Sequence, residues 1–259
     1  MNDNRNKNRG FSMNKIEQLQ QMIQNSNHIV FFGGAGVSTE SGIPDFRSID
    51  GLYNQKYKYP PEQILSHRFF MYHTPEFYEY YREKLIAGTY EPNTAHYKLA
   101  EIEHSGKLSA IITQNIDGLH QKAGSHHIIE LHGSVLSNHC MSCHTFYGLE
   151  KIKETKGVPH CTCGGIIKPD VTLYEETLDE QVIHKAIRAI RHADALIIGG
   201  TSMNVYPAAG LVHYFSGNHL IIINRESTAL DGHADLVIHD SIAQTLGAID
   251  VELQDVSSH

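Results

Sequence analysis

The chain has 259 residues, of which 41% are hydrophobic and 19% charged, and its formal net charge is −8. This length and apolar content suffice for one large core, or for a large domain with a smaller one inserted into it. The negative charge and the lack of any lysine and arginine run argue against nucleic-acid binding. No apolar run approaches the roughly 20 residues of a membrane-spanning helix, and the amino-terminal sequence lacks the apolar core of a signal peptide. We therefore expect a cytoplasmic protein whose partners are small molecules or proteins.

The amino-terminal residues 1–12 are rich in Asn, Arg and Lys and contain almost no apolar side chains. Such a segment cannot bury enough surface to order itself, so we predict a disordered tail. Met13 opens a segment that itself resembles a natural start. Residues 15–23 follow with apolar side chains at helical spacing, which predicts the first helix.

A loop of small residues follows an apolar run at 28–32, which is typical of a buried parallel strand. The loop and its continuation, residues 34–47, read GAGVSTESGIPDFR. Glycines let a backbone approach an anion closely, and the start of a following helix would add free N–H groups, so the loop predicts a phosphate site. Its spacing differs from the dinucleotide fingerprint Gly-x-Gly-x-x-Gly, because Thr39 stands where the third glycine would fall, and no P-loop lysine follows.

Short apolar runs alternate with helical patterns along the rest of the chain. The further predicted strands span 110–113, 128–131, 195–198, 220–223 and 236–238, and the clearest helical patterns span 92–104 and 178–192. This alternation predicts an α/β fold with a doubly wound, Rossmann-like parallel sheet. Ligands of such sheets bind beyond the carboxyl ends of the strands.

Two segments interrupt the alternation and predict a smaller inserted domain. Residues 48–90 are dense in Tyr and Phe and indicate a loop followed by a helical module, and residues 134–168 contain every cysteine. The large domain would then comprise 13–47, 91–133 and 169–259.

The cysteines form two close pairs: Cys140 with Cys143, and Cys161 with Cys163. Thiolates suit Zn²⁺, and four of them close a tetrahedral site that leaves no position for water. In a chain without a secretion signal such pairs favour a metal over disulfides or unligated thiols, so we predict one structural zinc ion in a zinc ribbon. The second pair is one residue shorter than the usual spacing, and the flanking histidines are alternative ligands: His139, His144 and His160.

Polar side chains follow two of the predicted strands. Asn115 and Asp117 come just after 110–113, and His132 comes just after 128–131. Taken singly, Asn115 and Asp117 could cap the next helix, and a lone histidine is more often structural. Because both segments end at the same sheet edge as the glycine loop, we favour a base near a bound nucleotide.

Together these stretches resemble the sirtuins, the NAD-dependent protein lysine deacylases. The matching motifs are residues 34–47, QNID at 114–117 and HG at 132–133, followed by the paired cysteines where that family carries its zinc. Further matches are GTS at 200–202, VYPAA at 205–209 and INRE at 223–226. The resemblance covers about residues 13–250 in the same order. The chain is thereby identified as a member of the sirtuin family, of bacterial type.

The resemblance implies a reaction in which NAD is consumed. The acetyl-lysine oxygen attacks the anomeric carbon of the ribose to give an alkylimidate, and nicotinamide leaves. His132 is implied as the base that deprotonates a ribose hydroxyl, while Asn115 and Asp117 orient the ribose and the nicotinamide amide. These three are the expected catalytic residues. The expected products are deacetylated lysine, nicotinamide and 2′-O-acetyl-ADP-ribose.

The resemblance also implies the contacts of NAD and of the acetyl-lysine protein. Phe46 would shield the reactive carbon, Arg47 would meet the phosphates or ribose, and Asn224 would hold the adenosine ribose. The full expected cofactor set is Gly34, Ala35, Gly36, Thr39, Ile43, Asp45, Phe46, Arg47, Gln114, Asn115, Ile116, Asp117, His132, Gly200, Thr201, Ser202, Asn224, Arg225, Glu226 and Asp240. The substrate peptide would run as an extended strand past Val171, Leu173, Tyr174 and Val205. We expect a monomer or weak oligomer.

The chain departs from the family pattern in two places. Many relatives have Phe-Gly-Glu where this chain has YEE at 174–176, so Glu175 either favours basic residues beside the acetyl-lysine or points to solvent. Members that remove acidic acyl groups carry Tyr-x-x-Arg, whereas residues 78–82 read YEYYR with Arg82 one position late. A small neutral acyl group is therefore favoured, unless an alignment gap brings Arg82 into place.

Two other functions compete with deacylation. The same scaffold could transfer ADP-ribose to a protein, or it could act as a non-catalytic sensor of NAD or ADP-ribose. The presence of both Asn115 and His132 favours deacylation. A plain NAD hydrolase would leave the zinc module and the peptide cleft without a purpose.

Overall fold

The computed structural model describes residues 13–45 and 58–251. The predicted tail at 1–12, and also Phe46 and Arg47, lie outside these residues. The strands are β1 (Ile29–Gly33), β2 (Leu108–Thr113), β3 (Ile128–Glu130), β4 (Gly133–Cys140), β5 (Phe146–Gly148), β6 (Ile167–Val171), β7 (Ala195–Gly199), β8 (His219–Ile223) and β9 (Leu236–Ile238). The α-helices are α1 (Lys15–Gln24), α2 (Pro61–Ile64), α3 (His67–Tyr72), α4 (Thr74–Tyr80), α5 (Thr94–His104), α6 (Leu119–Lys122), α7 (Leu149–Glu154), α8 (Glu180–His192) and α9 (Ile242–Gly247).

The larger sheet has six parallel strands in the order β3-β2-β1-β7-β8-β9. The strand order reverses beside β1, since β2 and β3 lie on one side and β7 to β9 on the other. Every residue of β1 and β7 is buried, which explains their continuous apolar sequences. The predicted doubly wound α/β fold is confirmed.

Helices cover both faces of this sheet. One face packs against α1, α5 and α9 through residues such as Leu19, Leu99 and Leu246. The other face packs against α8 and a 3₁₀ segment at Ala208–Tyr214 through Ile190 and Leu211. Both layers leave the carboxyl ends of the strands open to ligands.

The smaller unit is built on a three-stranded antiparallel sheet of order β5-β4-β6. A second core joins this sheet to α2, α3, α4 and α7 and contains Phe70, Phe77 and Ile167. The sheet includes Gly133 and extends through Val171. The division of the chain into two domains at the expected boundaries remains a prediction.

Two of the predicted helices begin later than the periodicity indicated. Helix α5 begins at Thr94, because the Asn93 side chain accepts a hydrogen bond from the Ala95 N–H and caps the helix. Helix α8 begins at Glu180 after Asp179, whose carboxylate accepts from two N–H groups of the first turn. In the described parts of the chain, none of the helices is both long enough and apolar enough to cross a membrane.

Two buried tyrosines in the helical module differ in their hydrogen bonding. Tyr78, in α4, donates its hydroxyl to the Ile167 carbonyl. Tyr81 opens a π-helical turn, and its hydroxyl has no hydrogen-bond partner among the residues that the structure describes. Both side chains are 0% exposed, and burial raises the pKa of both phenols, so both are neutral.

We expect these two hydroxyls to have opposite effects on stability. Tyr81→Phe removes a buried polar atom without a partner, so the free energy of unfolding should stay equal or rise by up to about 1 kcal/mol. Tyr78→Phe deprives a buried carbonyl of its donor and should lower the free energy of unfolding by about 1–2 kcal/mol. Urea unfolding of the two variants beside the wild type measures both effects. An equal loss of stability in the two variants would contradict the assignment.

Candidate active site

One cavity of about 1610 Å³ lies beyond the carboxyl ends of β1, β2, β7 and β8, and the smaller unit lines its far side. It is where a doubly wound sheet binds its ligands. The predicted residues that line it are Gly34, Ala35, Gly36, Thr39, Ile43, Asp45, Gln114, Asn115, Ile116, Asp117, His132, Val171, Leu173, Tyr174, Gly200, Thr201, Ser202, Val205, Asn224, Arg225, Glu226 and Asp240. The structure therefore brings together every predicted catalytic, cofactor and peptide residue that it describes, while their roles remain predictions.

The glycine loop is followed by two 3₁₀ turns, Ala35–Val37 and Thr39–Ser41, and not by the regular helix that the sequence suggested. The structure shows why this loop needs glycine at position 36, which the sequence did not show. A Cβ atom on Gly36 would lie 2.8 Å from the Gly200 carbonyl oxygen, and the Gly36 N–H donates to that oxygen at 2.8 Å. The missing side chain thus allows the loop after β1 to pack directly on the loop after β7.

Ser38 links the two predicted polar residues after β2. Its hydroxyl donates to Asp117 Oδ2 at 2.7 Å and accepts from Asn115 Nδ2 at 3.1 Å. Asp117 Oδ1 accepts from the Leu119 N–H at 2.9 Å, so the capping explanation holds for one carboxylate oxygen only. Ser38 is 1% exposed, and the three side chains therefore form a fixed polar group at the cavity wall.

Two buried histidines that the sequence reasoning missed lie behind this group. His96 Nδ1 accepts from the Asn93 N–H at 3.2 Å, which leaves the proton on Nε2, 3.5 Å from Ser38 Oγ. The His120 ring lies 4.8 Å from that of His96, centroid to centroid. Burial lowers the pKa of His96 to about 4 and that of His120 to about 3, so both are neutral near pH 7. The Asn93-x-x-His96 spacing at the start of α5 was the available signal, but the contact with Ser38 spans 58 residues.

His132 lies between β3 and β4 with a defined tautomer. Its Nδ1 lies 2.9 Å from the Gln114 carbonyl oxygen, which can only accept, so Nδ1 carries the proton and Nε2 is basic. Burial lowers the pKa of His132, and the hydrogen bond to Gln114 opposes this only in part. Gly133 has φ +72, and a Cβ there would lie 1.7 Å from the Asp170 carbonyl oxygen, so only glycine fits after the histidine.

Hydroxyl and charged groups line the opposite end of the cavity, beyond β7 and β8. Thr201 Oγ1 accepts from Gln114 Nε2 at 3.1 Å and from the Met203 N–H, which leaves its own O–H to donate. The guanidinium of Arg225 donates to Glu40 Oε1 at 3.2 Å, and the Ser241 hydroxyl donates to the same oxygen. Neither Glu40 nor Ser241 is among the residues that line the cavity; they hold the Arg225 guanidinium at its edge. Glu40 was not among the predicted residues, although it lies within the glycine-loop motif.

The predicted peptide residues lie on two walls of the cavity. Leu173 is buried, whereas Tyr174 is 43% exposed, and across the cavity Val205 is 37% and Tyr206 72% exposed. Exposed apolar side chains at the rim of a cavity are typical of a binding surface.

Arg82 lies outside the residues that line the cavity. Its guanidinium donates to the carbonyl oxygens of Ile152 at 2.9 Å and Gly157 at 2.5 Å, both in the zinc module. Tyr81, three residues after Tyr78, borders the cavity with its side chain fully buried. Arg82 is thus held by the small unit. The structure places it away from the cavity, so a gap in the alignment with the Tyr-x-x-Arg motif would not make it an acyl-binding residue.

The four cysteines meet at one point of the small unit, and their sulfur atoms all lie within 4.8 Å of one another. The pairs Cys140–Cys163 and Cys143–Cys161 are each 3.5 Å apart, close to the ~3.8 Å that two ligands of a tetrahedral zinc ion would show at a Zn–S distance of about 2.3 Å. The donor set therefore fits zinc. None of the three flanking histidines joins this group in the described residues.

The fold and this cavity define a Rossmann-like α/β protein with an inserted four-cysteine module. The model of the Sir2 family matches residues 34–207, and the chain belongs to this family. It is 61% identical over 239 residues to the NAD-dependent protein deacetylase of Clostridium perfringens (strain 13 / Type A), which covers 91% of this chain and 98% of that protein. The deacetylase of Clostridium acetobutylicum is 57% identical over 241 residues, or 92% and 98% of the two chains.

Solved structures of the family superpose well on this chain. A Sir2 protein bound to an acetylated peptide is 34% identical with a TM-score of 0.80, over 90% of this chain and 96% of the other. A Sir2 complex with a p53 peptide and NAD⁺ is 36% identical with a TM-score of 0.79, over the same shares of the two chains.

The cysteine cluster predicts one tightly bound zinc ion per chain. Cys143→Ser removes one thiolate from a closed site, so we expect the zinc content to fall well below one ion and the small unit to lose stability. Elemental analysis by mass spectrometry, with thermal unfolding, measures both. His139→Ala is the matched control and should keep its zinc. Full zinc retention by Cys143→Ser would contradict the ligand set.

Proposed function

We propose that this protein is an NAD-dependent protein lysine deacetylase that gives deacetylated lysine, nicotinamide and 2′-O-acetyl-ADP-ribose. The observation that carries the proposal is that Asn115, Asp117 and His132 line the same cavity as the glycine loop. The names of the clostridial relatives support it. So does a similar Sir2 complex that contains 2′-O-acetyl-ADP-ribose and a deacetylated peptide.

The cavity residues fit NAD by size and by chemistry. A volume of about 1610 Å³ exceeds that of a typical small-ligand pocket and leaves room for a dinucleotide beside a peptide segment. When bound, NAD supplies a glycosidic bond whose cleavage releases nicotinamide and leaves an electrophilic ribose carbon. The free O–H of Thr201 suits a phosphate, and Asn224, Arg225 and Glu226 would hold the adenosine end.

His132 is the general base in this proposal. Its Nε2 is the basic nitrogen because the Gln114 carbonyl holds the proton on Nδ1. Burial keeps the ring neutral near pH 7, the form that accepts a proton from a ribose hydroxyl. The backbone of Gly133, packed against Asp170, fixes the position of the imidazole.

Asp117 and Asn115 would orient the nicotinamide amide and the ribose. Both are held by Ser38, so neither pays the entropy of ordering when the ligand binds. Asn115 keeps its amide oxygen and one N–H for the ligand, since only one donor is used by Ser38. Ser38 therefore belongs among the positioning residues of the site.

The acetyl-lysine peptide would lie as an extended segment between the wall at Leu173 and Tyr174 and the wall at Val205. The N–H groups of Leu173 and Tyr174 already donate within the protein, so main-chain pairing with the peptide is proposed at the residues beside them. Such contact reads little side-chain sequence, and we propose modest sequence specificity. Because Arg82 is held by the zinc module and does not line the cavity, we also propose a small neutral acyl group. A cytoplasmic location and a monomeric or weakly associating chain also remain proposals.

Nicotinamide release and product mass test the proposed reaction. With NAD and a panel of acetyl, propionyl, succinyl and lipoyl peptides, we expect acetyl turnover, no succinyl turnover, and a loss of at least about 100-fold in His132→Ala. His192→Ala, at the exposed end of α8, is the matched control. An acceptor protein that gains ADP-ribose would favour the transferase, and the absence of nicotinamide release from every peptide would favour the sensor.

The acid limb of the pH profile tests the role of His132. The neutral base is present above its pKa, and burial lowers that pKa below the ordinary 6.5. We therefore expect kcat/KM to remain high at pH 6.5 and to fall only as the pH drops through the lowered pKa. The far-ultraviolet circular dichroism at each pH shows that the fold is intact. An acid limb centred at or above pH 6.5 would contradict the assignment.

A further inference from the structure

The peptide wall at Leu173–Glu176 is joined to helix α3 through its main chain. The Tyr174 N–H donates to the Leu65 carbonyl at 2.9 Å, and the Tyr174 carbonyl accepts from the His67 N–H at 2.9 Å. Both main-chain groups of Tyr174 are therefore used by the helical module. The wall of the cavity and the start of α3 form one connected piece of structure.

Glu175 has a backbone conformation that favours glycine. Its φ is +74°, in the left-handed region, where a residue with a Cβ atom is strained. Such an outlier persists only when the surrounding contacts hold it. Glycine is the residue that adopts this conformation without strain.

The side chain of Glu175 supplies the contact that holds it. Its Oε2 accepts from the Arg68 N–H at 3.0 Å. Arg68 is the second residue of α3, so its N–H has no acceptor within the helix and is free for a side chain. A carboxylate at the first turn of a helix is also favoured by the helix dipole.

Glu176 contacts the first residue of α3, next to Arg68. Its Oε1 lies 2.9 Å from His67 Nδ1, and its Oε2 accepts from the Leu173 N–H at 2.8 Å and from Lys168 Nζ at 3.2 Å. The two carboxylates thus hold two consecutive residues of α3. Between them they fix the direction of the main chain where the peptide is proposed to lie.

We infer that Glu175 is a positioning residue for the acyl-lysine peptide, acting through its bond to the Arg68 amide. This inference rests on the proposed deacetylase function. The bond holds the left-handed turn in place before the peptide binds, so the wall does not lose conformational freedom at that moment. The role is geometric, because the carboxylate oxygen faces a backbone N–H of the protein itself. The charge of the residues beside the acetyl-lysine should therefore have little influence.

Steady-state kinetics of two Glu175 variants test this inference. Glu175→Gly removes the bond and frees the turn, so we expect the KM for the peptide to rise about fivefold while kcat and the KM for NAD stay within about twofold. Glu175→Gln keeps an oxygen acceptor and should restore the KM for the peptide to within about twofold of the wild type. Three peptides in which Lys, Glu or Ala flanks the acetyl-lysine should show the same ratio of the variant's KM to the wild-type KM.

Several outcomes would overturn the inference. They are an unchanged KM for the peptide in Glu175→Gly, a KM change that depends on the flanking charge, and a Glu175→Gln variant that behaves like Glu175→Gly. Amide exchange at Arg68, followed by NMR, should be protected in the wild type and in Glu175→Gln and faster in Glu175→Gly. The exchange rate reports the hydrogen bond between Glu175 and the Arg68 N–H independently of enzyme activity. If the wild type releases no nicotinamide with any acetyl peptide, the proposed function fails, and binding of a fluorescent acetyl peptide to the same variants decides the role of Glu175.

Discussion

The close approach of two loops, after β1 and after β7, determines the rest of the site. The strands β1, β2 and β7 end level with one another, at Gly33, Thr113 and Gly199. The loops after these strands therefore begin side by side at the same edge of the sheet, and they lie close together. They can do so because Gly36 meets Gly200 without a side chain on either, and a Cβ on Gly200 would lie 2.5 Å from the backbone nitrogen of Val37. A residue with a side chain at Gly36 would push the loops apart and move the polar groups that they carry.

The hydroxyl of Ser38 converts this backbone arrangement into an ordered polar group. A hydroxyl donates one hydrogen bond and accepts two, and Ser38 uses all three: it donates to Asp117 and faces N–H groups of Asn115 and His96. Because His96 is neutral and its proton is fixed on Nε2, the donor and the acceptor of each hydrogen bond made by the Ser38 hydroxyl are determined. The orientation of Asp117 is thus set by the Ser38 hydroxyl, whose own direction is fixed in part by His96 behind the cavity wall.

The sequence could predict the sheet and the residues that belong to the site, but not the contacts between those residues. Strands covered on both faces are continuously apolar, and the motifs follow those strands, so the edge of the sheet was predictable. The bonds of Ser38 to His96 and Asp117 span 58 and 79 residues and leave no local pattern. The 3₁₀ turns after β1 and the left-handed Glu175 were equally hidden, because tertiary contacts override local preference there.

The position of the cysteine cluster explains how a closed metal site serves a reaction that it does not touch. Strand β4 runs from Gly133, next to the proposed base, to Cys140, and its 8 residues span at most about 24 Å at about 3.4 Å per step. None of the four cysteines lines the cavity as the structure describes it. A metal held by the cysteines at the far end would keep β4 against β6, whose last residue, Val171, pairs with Gly133. Residues 172–174 of the proposed peptide wall follow directly after Val171, so zinc bound by the cysteines would stabilise both the proposed base and this wall through one sheet.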